Sequence, residues 1–404
     1  MKIQFLINSL ASGGAERVAV NLLNELSKKG YTILLYTLES SKQYFLYSNI
    51  LYKPLSNLKA SSGKFLKFFY LPILIIKYFL ETIKNKPNVL ISFLELSNFI
   101  NIFIGKFLLN KKVVVSVRTN PLIMYPKKTI YGKVHNFFIK LLYPHADKVI
   151  VVSKKIKNML VNFYNIPKEK IEVIYNAIDI QKYLKLAQEP IEEKYQKIFK
   201  DSFVFINVGR LSKEKGHWFL IRAFKKVVEK YPNSKLIILG KGELKKDLEN
   251  LIKKLKLENN VYLLGFHKNP FKFLKNSHCF VFSSLWEGLP NVLIEALTFN
   301  LPIISTDCET GPREILAPEL DLEEKINYPY FGKYGILIEP FPRKFIFKDL
   351  KEKPLIKQEK QLSDLMIKII QDNSLRKKYS NGLKRAKDFD IDKIIKKWEK
   401  VIIE

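Results

Sequence analysis

The sequence predicts an α/β protein built from two doubly wound domains, and three observations carry that expectation. At 404 residues the chain exceeds what one hydrophobic core usually supports, so two domains are the default. Short apolar runs alternate with helix-patterned segments along most of its length, the signature of mostly parallel sheets. Several of those runs end in a glycine turn that opens a helix, the position where such sheets gather ligand groups.

In chain order, Ile3 to Ile7 reads as the first strand. Ser12-Gly13-Gly14 follows as a turn whose missing side chains let a ligand approach the next helix N-terminus, although a tight structural turn would serve as well. Apolar residues from Ala15 to Leu26 then recur at helical spacing before Gly30. Further strands are expected at Thr32 to Leu38, Val89 to Phe93, Val113 to Val117, Val149 to Val152 and Ile171 to Ile174. Arg118 stands just past one of them; a permanently charged guanidinium there would bind an anion, or pair with a nearby acid on the surface.

From Lys64 to Lys86 the chain is dense in aromatics and lysines, with the apolar run divided by Pro72 and too short to span a bilayer. It reads either as an amphipathic basic helix on anionic lipid or as a core helix with snorkelling lysines. Periodicity dissolves from Ile180 to about Asp201, which places the domain boundary there: residues 1–190, then 191–380, with a tail helix in 381–404 that packs back across the fold.

The second domain restarts at Phe203 to Val208. Arg210 and Lys215 straddle the strand-to-helix turn that follows, where paired cations would compensate an anionic ligand without a metal. Strands at Lys235 to Leu239 and Val261 to Leu264 lead into glycine turns, the second followed by Phe266 and His267. Cys279 to Ser283 is the next buried strand and delivers Glu287-Gly288-Leu289-Pro290-Asn291-Val-Leu-Ile-Glu295, with Pro290 in the first turn of a helix. Glu287 stands at the mouth of that helix. Glu295 lies in an apolar stretch where an unpaired charge would be costly, so it needs a partner. At eight residues' separation the two carboxylates would lie roughly 80° apart on one helix and reach different parts of one ligand. Helix capping by Glu287 and a lysine partner for Glu295 explain the same residues structurally. Gly311 and Arg313, after the strand Pro302 to Ser305, could add backbone or cationic contacts to a ligand phosphate; the acidic and aromatic excursion 317–334 carries no functional reading.

The glutamate pair with its seven-residue spacing resembles the motif of retaining nucleotide-sugar glycosyltransferases of the GT-B fold, family 4. Ser9-Leu-Ala-Ser-Gly-Gly-Ala-Glu-Arg17, Asn176-Ala-Ile-Asp179, Gly209-Arg-Leu-Ser-Lys-Glu-Lys-Gly216 and Thr306 to Ile315 extend the resemblance over nearly the whole chain. Each motif alone is loose; their order and spacing together are specific. The resemblance implies two Rossmann-like domains facing across a cleft. Glu287 would touch the donor sugar and Glu295 the ribose, with Gly288 to Asn291 between them. Gly13 and Gly14 would face the donor diphosphate, and backbone around Phe266 and His267 would meet the base. Many relatives carry a His where Arg118 stands. The nearest likeness is to bacterial enzymes that add N-acetylgalactosamine to lipid-linked oligosaccharides. It implies a UDP-sugar donor, a polyprenyl-diphosphate-linked acceptor and a peripheral position on the cytoplasmic face of the cell membrane.

Composition fits these expectations. The chain carries 69 Lys and Arg against 39 Asp and Glu, a net charge of +30 that attracts anionic lipid, phosphorylated substrate or nucleic acid. Only eight of the basic residues are arginines, which weakens a nucleic-acid reading. Cys279 and Cys308 lack metal or redox spacing and the five histidines are scattered, so no metal cofactor is expected and a reducing compartment fits. The opening residues turn polar too early for a signal peptide. Two other classes compete: a sugar-nucleotide epimerase of the same fold, and a non-catalytic basic protein that binds membrane or nucleic acid.

Overall fold

The computed structural model describes residues 1–404 apart from 12, 60, 344–349, 351 and 352, and apart from the side chain of Lys64. Ser12 of the first glycine turn therefore lies outside the described residues. Two compact units emerge: Met1–Ala177 together with Ile391–Glu404, and Ile178–Asp390. The boundary expected near residue 190 falls within the second unit, because Ile180–Leu186 and Glu193–Phe199 are helices there rather than a linker.

The first unit runs β1 (Lys2–Ile7), α1 (Gly14–Lys28), β2 (Thr32–Thr37), β3 (Leu51–Pro54), α2 (Lys64–Asn85), β4 (Val89–Phe93), α3 (Glu95–Ile102), β5 (Lys112–Val117), α4 (Pro121–Met124), α5 (Ile130–Leu142), β6 (Lys148–Val151), α6 (Lys154–Tyr164) and β7 (Ile171–Val173). A π-helical turn, Phe103–Leu108, continues α3. All seven strands are parallel, in the order β3-β2-β1-β4-β5-β6-β7. Strand residues alternate between two helical layers, as the two-residue period requires. Ile3, Phe5 and Ile7 face α1 and the final helix, whereas Leu6 faces Leu74 and Tyr78 of α2 and Ile100 of α3.

The second unit runs α7 (Ile180–Leu186), α8 (Glu193–Phe199), β8 (Val204–Val208), α9 (His217–Lys230), β9 (Lys235–Leu239), α10 (Lys245–Lys254), β10 (Val261–Gly265), α11 (Phe271–Lys275), β11 (Cys279–Phe282), α12 (Asn291–Thr298), β12 (Ile303–Thr306), α13 (Pro312–Leu316), β13 (Tyr330–Phe331), β14 (Ile336–Ile338), α14 (Lys357–Gln371), α15 (Asn373–Lys378) and α16 (Gly382–Ala386). Its sheet is ordered β10-β9-β8-β11-β12-β14-β13, parallel except for β13 against β14. In both sheets the strand order turns back on itself, at β1/β4 and at β8/β11, and ligands of such sheets bind outside the strand carboxyl ends at that point.

Two details depart from the sequence reading. The tail 381–404 is not one helix: α16 ends at Ala386, and only α17 (Ile391–Ile403) is the returning helix. Its Ile394, Ile395 and Trp398 are buried in the core of the first unit, where Trp398 stacks on Phe93. Helix α2 runs unbroken through Pro72, since the turn around Phe68, whose carbonyl loses its donor, is exposed to water.

Candidate active site

In the second unit, the two strands at the turning point deliver the charged groups. After β8 the chain makes the turn Gly209 to Gly216; after β11 it makes the loop Ser283 to Pro290. The two segments are laced together: Ser283 Oγ donates to the Lys215 carbonyl at 2.8 Å and the Leu285 N–H donates to the Glu214 carbonyl at 2.7 Å. Gly216 permits this approach. It has φ of +59°, and a Cβ there would sit 2.4 Å from the Ser283 carbonyl oxygen.

That lacing brings Lys215 Nζ to 2.5 Å from Glu287 Oε1, with both side chains largely buried. Arg210 is mostly exposed and is steadied by Glu214, 2.7 Å from its Nη2. Burial alone would raise the Glu214 carboxyl, but hydrogen bonds from Ser212 and its own amide, with the charges of Arg210 and Lys215, hold it below the usual range. The Glu287 carbonyl accepts from Thr310 Oγ1 in the loop after β12, and Gly311 there packs so closely that a Cβ would meet Pro290 Cδ at 2.3 Å. Burial and the neighbouring charges of Glu287 and Asp307 push the Cys308 thiol up and keep it neutral.

Underneath lies a polar support that the sequence reading missed. Asn207 Nδ2 donates to the Val281 carbonyl at 2.7 Å, so its Oδ1 accepts from His217 Nε2 at 2.9 Å. Burial, reinforced by the charge of Lys215, pulls His217 down to about 3, so the ring stays neutral and α9 begins at a fixed position beneath Lys215. A histidine directly after a Lys-Gly turn was the available signal.

The remaining expected residues fall as follows. Glu287 lies in the loop before α12 rather than on the helix, so the helical angle between the two glutamates does not apply; Glu295 is buried on α12. Gly288, Leu289 and Pro290 are buried in the loop that leads to Asn291, the first residue of α12. Phe266 follows edge strand β10 and is exposed, while His267 packs against Tyr195 and Phe273. Arg313 does not present a free guanidinium. Its Nε and Nη2 bind Asp307 Oδ2 at 3.0 and 2.6 Å, and Nη1 binds the Glu324 carbonyl at 2.7 Å. Tyr328 donates to the same Asp307 oxygen at 2.7 Å, so the cluster clips down the excursion 317–334 for which the sequence offered no role.

In the first unit, Gly13 is tied to Tyr44, whose hydroxyl donates to its carbonyl at 2.8 Å and accepts from its N–H at 3.1 Å. A Cβ at Gly14, the first residue of α1, would meet nothing within 4 Å. Arg118, past the end of β5, is buried. Its Nη2 donates to Asn176 Oδ1, its Nη1 to Ser116 Oγ at 3.3 Å, and its guanidinium lies 5.3 Å from the Phe93 ring centre. No carboxylate among the described residues pairs with it; burial draws its pKa down to about 9, so it stays charged at neutral pH. Glu95, the first residue of α3 just past β4, was also missed. It is buried, accepts from the Tyr125 hydroxyl at 3.1 Å, and burial raises its carboxyl. A carboxylate directly after an apolar strand was the signal.

The family models agree with the two units. Residues 12–182 match Glycosyltransferase Family 4 and residues 188–321 match Glycosyl transferases group 1. An uncharacterised glycosyltransferase of Methanocaldococcus jannaschii is 60% identical over 295 residues, 73% of this chain and 72% of the relative. The N-acetylgalactosamine-N,N'-diacetylbacillosaminyl-diphospho-undecaprenol 4-alpha-N-acetylgalactosaminyltransferase of Campylobacter jejuni is 34% identical over 401 residues, 97% of each chain. Among solved structures, Anabaena HepE in complex with UDP and glucose matches with a TM-score of 0.76 at 19% identity, covering 100% of both chains. Sequence motifs, two parallel-sheet units and these relatives converge: the chain belongs to the family 4 glycosyltransferases, with the GT-B fold.

Proposed function

We propose that this glycosyltransferase moves an N-acetylhexosamine, N-acetylgalactosamine foremost, from a UDP-linked donor to a polyprenyl-diphosphate-linked saccharide, with retention of anomeric configuration. The product would serve assembly of a cell-surface polysaccharide or a protein-linked glycan. The observation that carries this reading is the pairing of Lys215 with Glu287 at the β8/β11 turning point, with Arg210 on the same turn. It sets two cations and a carboxylate where an anionic ligand of a parallel sheet binds.

Each residue then has a task. Lys215 and Arg210 balance the charge that grows on the diphosphate as the bond from the sugar C1 to phosphate oxygen breaks. Glu287, held by Lys215, orients the sugar ring, and Glu295 holds the ribose. The acceptor hydroxyl attacks C1 from the side the diphosphate leaves, and its proton passes to the departing phosphate oxygen. Arg118, a buried cation without a carboxylate partner among the described residues, suits the acceptor diphosphate. The acceptor chemistry is supported by the specificity of the Campylobacter relative, and a UDP donor by the HepE complex. With such a lipid acceptor the reaction would run at the inner membrane face, where α2 would supply a basic, aromatic contact.

The test is a screen of labelled nucleotide sugars against extracted membrane lipids. Label transferred from a UDP-N-acetylhexosamine to a lipid-linked product, with UDP released only when acceptor is present, supports the reading. Acceptor-independent interconversion of the sugar nucleotide would show an epimerase instead.

A further inference from the structure

One layer of the first unit is chemically unlike the rest of the molecule. Helix α3 and its π-helical extension lie between α2 and α5: Ile100 and Ile104 share a cluster with Leu74 and Tyr78, and Phe99 packs on Phe138 and His135. The outward sides of these three neighbouring segments are apolar. Helix α2 exposes Phe65, Phe69 and Ile76, the turn exposes Phe103 and Phe107, and α5 exposes Phe137 at 61% and Leu141 at 48%. Isolated exposed apolar residues need no explanation, but a layer of them does.

The charge pattern identifies the occupant. Between Glu39 and Asp147 the sequence holds sixteen basic residues and only two acids, Glu81 and Glu95. Glu81 is taken by Lys53 at 2.5 Å and by the Tyr36 hydroxyl at 2.8 Å, and Glu95 is buried. The layer therefore offers large apolar groups among lysines, with no acid on α5 or on the turn. A second copy of the same face would bring lysines against lysines. A surface that accepts aromatic side chains and attracts lysine is an anionic lipid headgroup layer. Among the described residues no helix is long and apolar enough to cross a membrane, so these segments lie on the lipid rather than through it.

We infer that the whole α2, 103–108 and α5 layer, not α2 alone, docks on an anionic bilayer, with α5 inserting Phe137 and Leu141 among the headgroups. This rests on the membrane-face reading given above and extends it to two segments that the sequence did not mark.

The experiment is co-sedimentation of the full chain with vesicles of phosphatidylglycerol and of phosphatidylcholine. It compares wild type, a Phe137→Glu, Leu141→Glu double variant in α5, and a Phe69→Glu, Ile76→Glu double variant in α2. All four positions are exposed, and an unchanged melting temperature together with UDP affinity reports that each variant is folded. The wild type should pellet with phosphatidylglycerol vesicles and not with phosphatidylcholine, and each variant should bind about tenfold or more weakly with UDP affinity unchanged. Wild-type vesicle binding by the α5 variant overturns the inference. So does a wild-type dimer in light scattering that the α5 variant splits and that ignores vesicles. Sugar transfer to acceptor in detergent tests the enzymatic reading separately, because it needs no bilayer.

Discussion

Lys215 and Glu287 stand 72 positions apart in the chain, yet the lysine ammonium lies 2.5 Å from the glutamate Oε1. The pair unites the turns after β8 and β11, and it makes the two side chains a single unit: neither can lose its charge without leaving the other partly buried and unpaired. Glu287→Gln keeps the shape and removes the charge. It should lower kcat by about 100-fold or more while donor KM moves by less than about threefold. The Glu287→Gln, Lys215→Ala double variant should be little worse than the poorer single variant. Steady-state kinetics check this, and full activity in Glu287→Gln would remove the residue from the site.

Arg118 is predicted to act on the acceptor alone. Arg118→Lys keeps a cation but loses the planar fork that reaches Asn176 and Ser116. Acceptor KM should rise about tenfold with UDP affinity unchanged in titration calorimetry. Equal losses for acceptor and UDP would contradict an acceptor role.

Sequence reasoning reached most of the strands and the glycine turns that follow several of them, because buried parallel strands are continuous apolar runs closed by such turns. It reached Glu287, Arg210 and Lys215 as separate residues for the same reason. The contact between Lys215 and Glu287 was not legible, since strand order, not spacing, makes β8 and β11 neighbours. Arg313 was not decidable from sequence: a cation after a strand looks the same whether it faces a ligand or clips a loop, and the contacts with Asp307 and Tyr328 favour the second. In α2 the core reading holds for Leu74 and Tyr78, while Phe65 and Ile76 face outward, as the lipid reading requires. Strand β3, a half-exposed edge ending in Pro54, was missed for lack of an apolar run, and the brief pair β13 and β14 was missed as well.

The neutral His217 makes stability pH-dependent. Its folded pKa, about 3, lies below the ordinary 6.5 of a free histidine, so the unfolded chain binds the extra proton between those values. Stability attributable to this group is intact above about pH 6.5 and declines as pH falls, by about 2 kcal/mol at about pH 5. Urea unfolding of wild type should therefore weaken more steeply over that range than unfolding of His217→Gln. Parallel pH profiles would contradict the assignment.

Arg313→Ala should be a stability variant rather than a binding variant. It leaves Asp307, largely buried, without its cation and frees the carbonyls of the 317–334 excursion, a loss of about 3 kcal/mol. The urea midpoint should fall while UDP affinity of the folded protein changes by less than about twofold. A large loss of affinity at unchanged stability would return Arg313 to ligand binding.

The account turns on whether the Arg210, Lys215 and Glu287 cluster grips an activated sugar. Crystals soaked with a UDP-N-acetylhexosamine test it most directly. The predicted result is diphosphate density against Lys215 and Arg210, with the sugar at Glu287 and the ribose at Glu295. Density bound elsewhere on the chain, with those four side chains untouched, would contradict it.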